Sequence, residues 1–440
     1  MIDLKFELNG EEIRVGAFLG TMPYAVFYED TMPAFLPFDV LLPKKGVSPL
    51  WPVIACDQFT SEPEYWKIVQ ELVGTSDSTL HLVFPEVWLG KKETSRIEDI
   101  QQTMSSYLKN GIFQTSCNSF VYVERVLSTG KIRRGIVGTV DLEQYEFTEN
   151  SSKPIRATEK TVRSRIPPRV AIRKGAALEL SHVLLLADDP EDRILSPLER
   201  KKESLPLLYD VDLMQGGGRL RGYLVAGNEA AELTREIENY ERERRENQGE
   251  SLLYCVGDGN HSLATAKTCY EAIKATLPAD QAEKLPARYA MVELGNIRDA
   301  SLEIEPIHRL VCGIDPEILL HQLQEKGGAE HGHSIQWVSG EKTGTLVLDR
   351  KLGTLPIGVL QGLLDQCLTG TDATLDYIHG EASLKKLTQD VGKIGFLLPK
   401  IEKSDIFRGV GLDGVLPRKT FSMGEATDKR YYVEARKILR

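Results

Sequence analysis

Apolar and polar positions alternate in short segments along this chain, with periods that switch repeatedly between strand-like and helix-like. Residues 3–15 predict a hairpin around an Asn9-Gly10 turn. Further strands are predicted at residues 80–85, 120–126, 135–140, 251–256, 289–294, 301–307, 334–338, 345–349 and 395–398, and residues 183–187 form an apolar run. Helices are predicted from residue 61 and at 95–110, 229–247, 261–276, 316–326, 354–368 and 381–391. This dispersed order predicts a mixed α/β (α+β) fold, with mixed sheets flanked by helices.

Two local signals sharpen these predictions. Ser61-x-x-Glu64 has the pattern of a capping box, which places the start of the first helix at Ser61. Pro167-Pro168 interrupts a basic segment, and we expect its second half to be loop rather than helix.

The length of 440 residues favours two or three lobes, and we divide the chain into regions 1–150, 151–312 and 313–440. The longest apolar runs are too short to cross a bilayer, and the N-terminus lacks a secretory pattern. The six cysteines lie far apart, as expected of reduced thiols. We therefore expect a cytoplasmic protein without a membrane partner. The net charge of −10 disfavours nucleic acid as a partner, and the oligomeric state is not predicted.

The sharpest pattern is a strand–turn–helix at residues 252–276, in which an apolar run meets Gly257-Asp258-Gly259-Asn260-His261 and an Ala-rich helix follows. The two glycines let the backbone approach a ligand closely. The first N–H groups of the helix, together with its dipole, favour an anion. Gly257, Gly259, Asn260 and His261 are therefore predicted to bind phosphate. The alternative is that Asp258 and Asn260 only build the turn and cap the helix.

Asp258 is the unusual member of this turn, because a carboxylate beside a phosphate is unfavourable unless a cation or a transferable proton lies between them. Two roles follow: Asp258 could hold Mg²⁺, or it could accept a proton from an attacking hydroxyl group.

A second candidate is the basic segment at residues 156–174, which holds seven basic residues and one acid, Glu159. Arg163 and Arg165 are candidates for gripping phosphate or carboxylate groups. Glu159 could serve as a base or a metal ligand. The alternatives are that the segment is a solvated face and that Glu159 only pairs with an arginine.

Weaker candidates lie further along the chain. His308-Arg309 follows a predicted strand and could contact a ligand, although such a pair is more often structural. Glu330-His331-Gly332-His333 resembles half of a metal site but lacks a third ligand at a recognisable spacing.

The order of several motifs resembles the conserved family known as domain of unknown function 1015. The motifs that carry the resemblance are Pro37-Phe38-Asp39-Val40, Arg134-Gly135-Ile136-Val137-Gly138, Arg156-Ala157-Thr158-Glu159, Asp258-Gly259-Asn260-His261, Pro306-Ile307-His308-Arg309 and Leu416-Pro417-Arg418-Lys419-Thr420. Family members usually have His before the acid aligned with Glu159, and Asp-Gly-His-His-Arg at the turn. Ser262 stands at the position of that arginine, so Arg163 or Arg165 is expected to compensate. Lys419 joins the candidate contacts.

The turn also resembles the phosphate-binding box of the sulfiredoxin and ParB-type superfamily, which includes free serine kinases. That resemblance implies a nucleotide-binding core, a nucleotide such as ATP or ADP, and Mg²⁺. Asp258, Glu159 and His261 would be the catalytic residues. The expected function is a nucleotide-dependent phosphotransferase acting on a small hydroxylated metabolite, with serine or a related hydroxy acid as one option. The alternative is a nucleotide-binding regulatory switch with little or no catalysis.

Overall fold

The structure is a computed structural model that describes residues 2–8, 11–17, 33–89, 93–248 and 252–439. The chain divides into two compact units, residues 1–33 and 34–440. In the first unit, strand β1 (Ile2–Leu8) pairs antiparallel with β2 (Glu11–Ala17). The predicted hairpin strands are therefore confirmed, and the predicted Asn9-Gly10 turn lies outside the described residues.

The second unit contains most of the secondary structure. Its strands are β3 (Phe35–Leu36), β4 (Phe38–Pro43), β5 (Val53–Ile54), β6 (Phe113–Val126), β7 (Ile132–Asp141), β8 (Tyr145–Glu146), β9 (Ile155–Ala157), β10 (Leu178–Glu179), β11 (Leu184–Ala187), β12 (Leu207–Asp212), β13 (Arg219–Val225), β14 (Tyr254–Asp258), β15 (Tyr289–Asn296), β16 (Ile304–Cys312), β17 (Gly328–Ser339), β18 (Lys342–Leu348), β19 (Thr374–His379), β20 (Lys393–Leu397), β21 (Phe421–Met423), β22 (Tyr431–Tyr432) and β23 (Arg436–Lys437).

Its helices are α1 (Pro63–Val73), α2 (Glu93–Lys109), α3 (Ile166–Arg173), α4 (Ser196–Lys201), α5 (Asn228–Gln248), α6 (Asn260–Lys274), α7 (Ala279–Ala282), α8 (Pro316–Gly327), α9 (Pro356–Leu368), α10 (Glu381–Leu387) and α11 (Lys403–Asp413). The predicted mixed α/β fold class is confirmed. Within the described residues, no helix is both long and apolar enough to span a bilayer.

The main sheet runs β12-β13-β6-β7-β15-β11-β14-β9-β8, with β3 on β7 and β4 on β6. Its central strands are apolar on both faces. In β15, Met291 packs into one core, whereas Ala290, Val292 and Leu294 pack into the core on the opposite face. Strand β14 lies between β11, to which it is antiparallel, and β9, to which it is parallel. This position places the predicted turn after β14 next to the chain that follows β9.

A second sheet runs β18-β17-β20-β16-β19, with β21 on β16. One face packs on helices α8 and α9 through Leu319, Leu323, Leu360 and Leu364. The main sheet combines strands from predicted regions 1–150 and 151–312, and the second sheet combines strands on both sides of residue 312. The three regions stay a prediction.

The end of the chain returns to the main body of the unit. Strand β22 pairs antiparallel with β5, and β23 pairs antiparallel with β10. The indole Nε1 of Trp51 donates to the carbonyl of Val433 at 2.9 Å. Residues near both ends of the second unit are therefore brought to the same side of the fold.

Three local predictions are wrong for identifiable reasons. Residues 80–85 are buried but form no strand, because the Ser78 hydroxyl accepts from the Leu80 N–H and starts a short 3₁₀ turn, Thr79–His81. Helix α1 begins at Pro63, whose fixed φ suits a first helical position, and no side chain caps it. Pro167 and Pro168 lie inside α3, in the first turn, where a missing N–H breaks no helical hydrogen bond.

Candidate functional site

The turn after β14 has the geometry that its sequence predicts. Gly259 adopts a left-handed conformation with φ of 78°, and α6 begins at the next residue. A Cβ on Gly259 would lie 3.0 Å from Val183, and one on Gly257 would lie 2.7 Å from the Leu186 side chain. Gly259 is therefore strongly favoured as glycine, whereas a larger residue at 257 would require the Leu186 and Met423 side chains to move. The first N–H groups of α6 lack intrahelical acceptors and face outward from the helix tip.

Asp258 is held at the base of this turn by two contacts. Its Oδ1 accepts a hydrogen bond from the Gly259 N–H at 2.9 Å, and its Oδ2 lies 3.1 Å from Lys429 Nζ. Burial alone would lower the pKa of Lys429, but the charges of Asp258 and Asp57 outweigh it and raise that pKa. Lys429 is therefore a charged ammonium group beside Asp258.

Glu159 reaches the same edge of the sheet through the parallel pairing of β9 with β14, in which Ala157 lies opposite Val256. Burial raises the pKa of the Glu159 carboxyl, and the negative charge of Asp258 raises it further. The backbone N–H groups of Lys419 and Thr420 donate to this carboxyl and act in the opposite direction. The two acids proposed from sequence are thus brought within electrostatic reach of each other.

His261 lies at the helix tip and contacts the basic segment. Its Nε2 accepts a hydrogen bond from the Val162 N–H at 3.1 Å. Burial lowers the pKa of His261 to about 4, and the positive charges of Arg169 and Arg165 lower it further. The imidazole is therefore neutral near pH 7, with its proton on Nδ1, which can donate to an anion.

The arginines of the basic segment differ in how they contact the turn. Arg165 is exposed and lies close enough to His261 to lower its pKa, as does Arg418. Arg169 also acts on His261, while its guanidinium pairs with Glu86. Arg163 lies in the 3₁₀ turn Arg163–Arg165 and is exposed.

Two polar atoms at the turn have no hydrogen-bond partner among the described residues: Asn260 Oδ1 and Thr161 Oγ1. Both atoms are buried, and Thr161 is 8% exposed. Asn260 Nδ2 lies 3.5 Å from Thr158 Oγ1, which itself donates to the Val256 carbonyl. Leaving a buried polar group unpaired costs about 1–3 kcal/mol. These atoms therefore suit a polar ligand beside His261.

Arg309 and Lys419 are structural neighbours of the site. Arg309 is fully buried and donates to the carbonyls of Arg418 and Lys419 at 3.2 and 3.1 Å. Its guanidinium lies over the Tyr377 ring, as does Lys419 Nζ. These contacts hold the backbone whose N–H groups reach Glu159. Direct contact of Arg309 or Lys419 with a ligand stays a prediction.

The remaining sequence candidates differ in position. His308 Nδ1 accepts from the Leu398 N–H at 3.1 Å in the second sheet, and burial lowers its pKa. Ser262 is half-buried in the first turn of α6, at the helix tip. Their predicted roles in binding are not tested by these contacts.

Sequence reasoning missed a group that lies around the turn: Asp57, His182, Lys429 and Tyr432. His182 Nδ1 is 2.6 Å from the Tyr432 hydroxyl, and His182 Nε2 is 3.8 Å from Asp57 Oδ2. A cavity beside Asp258 is lined by His182 and Lys429. Asp57 lies three residues after the short apolar strand β5, whereas Asp258 is the last residue of β14, and this nearness to a strand end is a local signal for Asp57.

The predicted Mg²⁺ site does not fit the side chains that are present. Asp258 pairs with Lys429, and Glu159 accepts two backbone N–H groups. In the part of the chain that the structure describes, no three His, Cys, Asp or Glu side chains are grouped to hold a metal ion. A Mg²⁺ ion at the turn would thus depend on oxygen ligands from a bound phosphate.

Comparison with protein families identifies the chain. The family described as protein of unknown function (DUF1015) matches residues 35–372. The chain therefore belongs to this family, as its motifs predicted. No curated protein sequence matches the chain.

Several solved structures share distant backbone similarity with the chain. The match to a mutant of free serine kinase in complex with ADP covers 67% of this chain and 91% of the kinase chain, with 11% sequence identity and a TM-score of 0.37. The match to a conserved hypothetical protein from Pyrococcus furiosus covers 68% of this chain and 94% of that protein, with 11% sequence identity and a TM-score of 0.34. The match to SbnI from Staphylococcus aureus, truncated at its C-terminus, covers 66% of this chain and 82% of that protein, with 11% sequence identity and a TM-score of 0.33. The resemblance of the turn to the sulfiredoxin and ParB-type box stays a prediction.

Proposed function

We propose that the protein is a nucleotide-dependent phosphotransferase that acts on a small hydroxylated metabolite, with serine or a related hydroxy acid as the first acceptor to test. The observation that carries the proposal is the convergence at His261. There the tip of α6 meets the positive charges of Arg165, Arg169 and Arg418, with the carboxyl groups of Asp258 and Glu159 on the same sheet edge.

The helix tip supplies the phosphate contacts in this proposal. Backbone N–H groups at the start of α6 and the Nδ1–H of His261 donate to phosphate oxygens. Thr161 Oγ1, which lacks a partner among the described residues, is a further donor. Arg165 and Arg418 are exposed and add positive charge beside His261.

Glu159 is the better candidate for the general base. A carboxylate whose pKa is raised towards neutrality accepts a proton more effectively than one neutralised by an adjacent ammonium group. Burial raises the pKa of Glu159, whereas Asp258 is paired with Lys429. In the reaction, the acceptor hydroxyl gives its proton to Glu159 as its oxygen bonds to phosphorus. The bond from phosphorus to the nucleotide oxygen breaks, and the shortened nucleotide leaves.

Isothermal titration calorimetry with ATP, ADP and CTP tests the binding step, and product analysis with serine or other hydroxylated acceptors tests transfer. We expect His261→Gln and Arg165→Gln to weaken nucleotide binding by about tenfold each. Arg200→Gln, an exposed arginine on α4, is the matched control. Absence of binding with all three nucleotides would contradict the proposal.

Glu159→Gln separates binding from chemistry. It removes the basic oxygen but keeps an acceptor for the Lys419 and Thr420 N–H groups, so nucleotide affinity should stay within about threefold while transfer falls about a hundredfold or more. Equal transfer rates for the variant and the natural protein would assign the base elsewhere.

The second candidate is a nucleotide-binding switch with little catalysis. The pairing of Asp258 with Lys429 favours it, because that carboxylate is not poised to hold a metal ion or take a proton. Tight nucleotide binding without turnover, across a panel of hydroxylated acceptors, would favour the switch over the phosphotransferase.

A further inference from the structure

Lys429 lies between two acids next to the phosphate-type turn. Its Nζ is 3.1 Å from Asp258 Oδ2, and the charge of Asp57 also acts on it. The side chains of Lys429 and Asp258 are only 20% and 23% exposed, so water screens this pair weakly. Lys429 lies beyond the region matched by the family, which ends at residue 372.

The position of Asp258 creates an electrostatic problem for any anion at the helix tip. An ionised carboxylate repels a phosphate group at short range, and the effect is strong where solvent is partly excluded. Nucleotide-binding sites commonly solve this with Mg²⁺, which needs carboxylate oxygens that are free to coordinate. Here Asp258 is engaged by Lys429, and Glu159 by the N–H groups of Lys419 and Thr420.

We propose that Lys429 is the cation that neutralises Asp258 and so lets a nucleotide phosphate occupy the turn without a divalent metal ion. This inference rests on the proposed function, since it concerns the same turn. Its support comes from the ion pair and, independently, from the unpartnered buried atoms Asn260 Oδ1, two residues after Asp258, and Thr161 Oγ1, next to the Val162 that bonds His261; among the described residues they suit a polar ligand at the tip of α6.

A lysine that neutralises Asp258 differs from a purely structural lysine in its effect on metal dependence. ADP should bind in the presence of EDTA with nearly the same affinity as in Mg²⁺. Removal of the lysine charge should expose Asp258, and binding should then become dependent on an added cation. Removal of the Asp258 charge as well should make the lysine dispensable.

Calorimetric titration of the full chain with ADP in EDTA, using Lys429→Met, Asp258→Asn and the double variant, tests this directly. Asp258→Asn keeps Oδ1 as an acceptor for the Gly259 N–H. We expect Lys429→Met to weaken binding by about 10- to 100-fold. Asp258→Asn should bind at least as well as the natural protein, and the double variant should recover to within about threefold of it.

Two further variants guard against misfolding and nonspecific charge effects. Lys429→Arg keeps the charge and should keep most of the affinity. Lys437→Met removes an exposed lysine from β23 and should leave ADP affinity unchanged. Addition of Mg²⁺ should partly rescue Lys429→Met, because the ion can bridge Asp258 and the ADP phosphates.

The results of these titrations distinguish a wrong proposed function from a wrong role for Lys429. Failure of the natural protein to bind ADP, ATP or CTP would overturn the proposed function itself. If the natural protein binds nucleotide but ADP binds only with Mg²⁺, or if Lys429→Met binds ADP normally in EDTA, the role of Lys429 is wrong. A double variant as weak as Lys429→Met would show that Lys429 acts on the structure of the turn rather than on the charge of Asp258.

Discussion

The imidazole of His261 illustrates how one residue is set by its surroundings. Its Nε2 accepts the Val162 N–H, and burial with the nearby arginine charges lowers its pKa to about 4. Protonation would break the hydrogen bond and add a positive charge beside those of Arg165, Arg169 and Arg418. The residue is therefore a neutral hydrogen-bond donor rather than a cation at the helix tip.

This neutral state should make stability depend on pH. The ordinary pKa of histidine is 6.5, above the value of about 4 for His261 in the folded protein. The unfolded chain therefore binds a proton at higher pH, and the free energy of unfolding should fall as pH drops from about 6.5 towards 4. With its partial exposure taken into account, we expect the loss to be about 1–2 kcal/mol.

Urea denaturation at pH 7 and pH 4.5, for the natural protein and for His261→Gln, measures this contribution. The variant keeps an acceptor for Val162 but cannot titrate, so its loss of stability over this interval should be smaller by that amount. Identical losses in both proteins would mean that His261 does not hold a depressed pKa.

Gly259 sets the path of the backbone at the same turn. Its φ of 78° is unfavourable for other residues, and an added Cβ would lie 3.0 Å from Val183. Gly259→Ala should therefore lower the free energy of unfolding by about 2 kcal/mol or more, and it should also weaken nucleotide binding.

Gly46 offers a matched control, because its φ is 85° and no atom lies within 4 Å of an added Cβ. Gly46→Ala should cost about 1 kcal/mol from the backbone alone and leave binding unchanged. Urea denaturation and ADP titration of both variants make the comparison. Equal costs at the two glycines would argue against the close approach of Val183.

At the scale of elements, the sequence pattern predicted those helices, strands and turns whose formation depends on residues adjacent in the chain. The strand–turn–helix around Gly259 was predictable because two glycines, an apolar run and an Ala-rich segment are all adjacent in sequence. Residues 80–85 have an equally apolar pattern but form no strand in the structure; the Leu80 N–H donates to the Ser78 hydroxyl, and the segment begins with the 3₁₀ turn Thr79–His81. Periodicity reports burial, whereas strand formation also needs a partner that the sequence does not reveal.

The site shows the same limit. Asp258, Asn260 and His261 were predictable because they occupy one short motif. The neighbours Asp57, Arg418 and Lys429 reach the motif only through long-range pairing, such as that of β22 with β5. No spacing rule connects positions that far apart along the chain.

Arg309 provides a test at the element scale, because it joins β16 to the backbone at Arg418 and Lys419. It is fully buried, and its replacement by Met would remove the donor to three backbone carbonyls, those of Ile307, Arg418 and Lys419, and to the Gln361 side chain. We expect Arg309→Met to lower the free energy of unfolding by about 3–5 kcal/mol.

The matched control is Arg219→Met on β13, whose side chain is 45% exposed in its pair with Asp210. That change should leave the free energy of unfolding nearly unchanged, because water screens an exposed ion pair. Thermal and urea unfolding of both variants give the comparison. A small effect at Arg309 would mean that the 416–420 backbone is held by other contacts.

At the scale of the whole molecule, the last part of the chain closes the fold around the site. Strands β22 and β23 pair with β5 and β10, and the same segment supplies Lys429 to the turn. The segment lies outside the region that the family matches. Stability of the closing segment and charge at the turn are therefore coupled through neighbouring residues.

Arg430 tests this closure, because it is a buried link between the closing segment and the main sheet. Its guanidinium donates to Glu293 on β15 at 2.9 Å, to the carbonyl of Ser181 at 2.6 Å and to Glu434 at 2.8 Å. Arg430→Met would leave two buried carboxylates without this partner, so the free energy of unfolding should fall by about 3–5 kcal/mol. Because Lys429 is the preceding residue, ADP affinity should fall as well.

Lys437→Met, on the exposed side of the same segment, should change neither the free energy of unfolding nor ADP affinity. Urea denaturation and calorimetric titration measure the two quantities. If Arg430→Met keeps the free energy of unfolding of the natural protein but loses ADP binding, then Arg430 contacts the ligand instead of holding the closing segment on the main sheet.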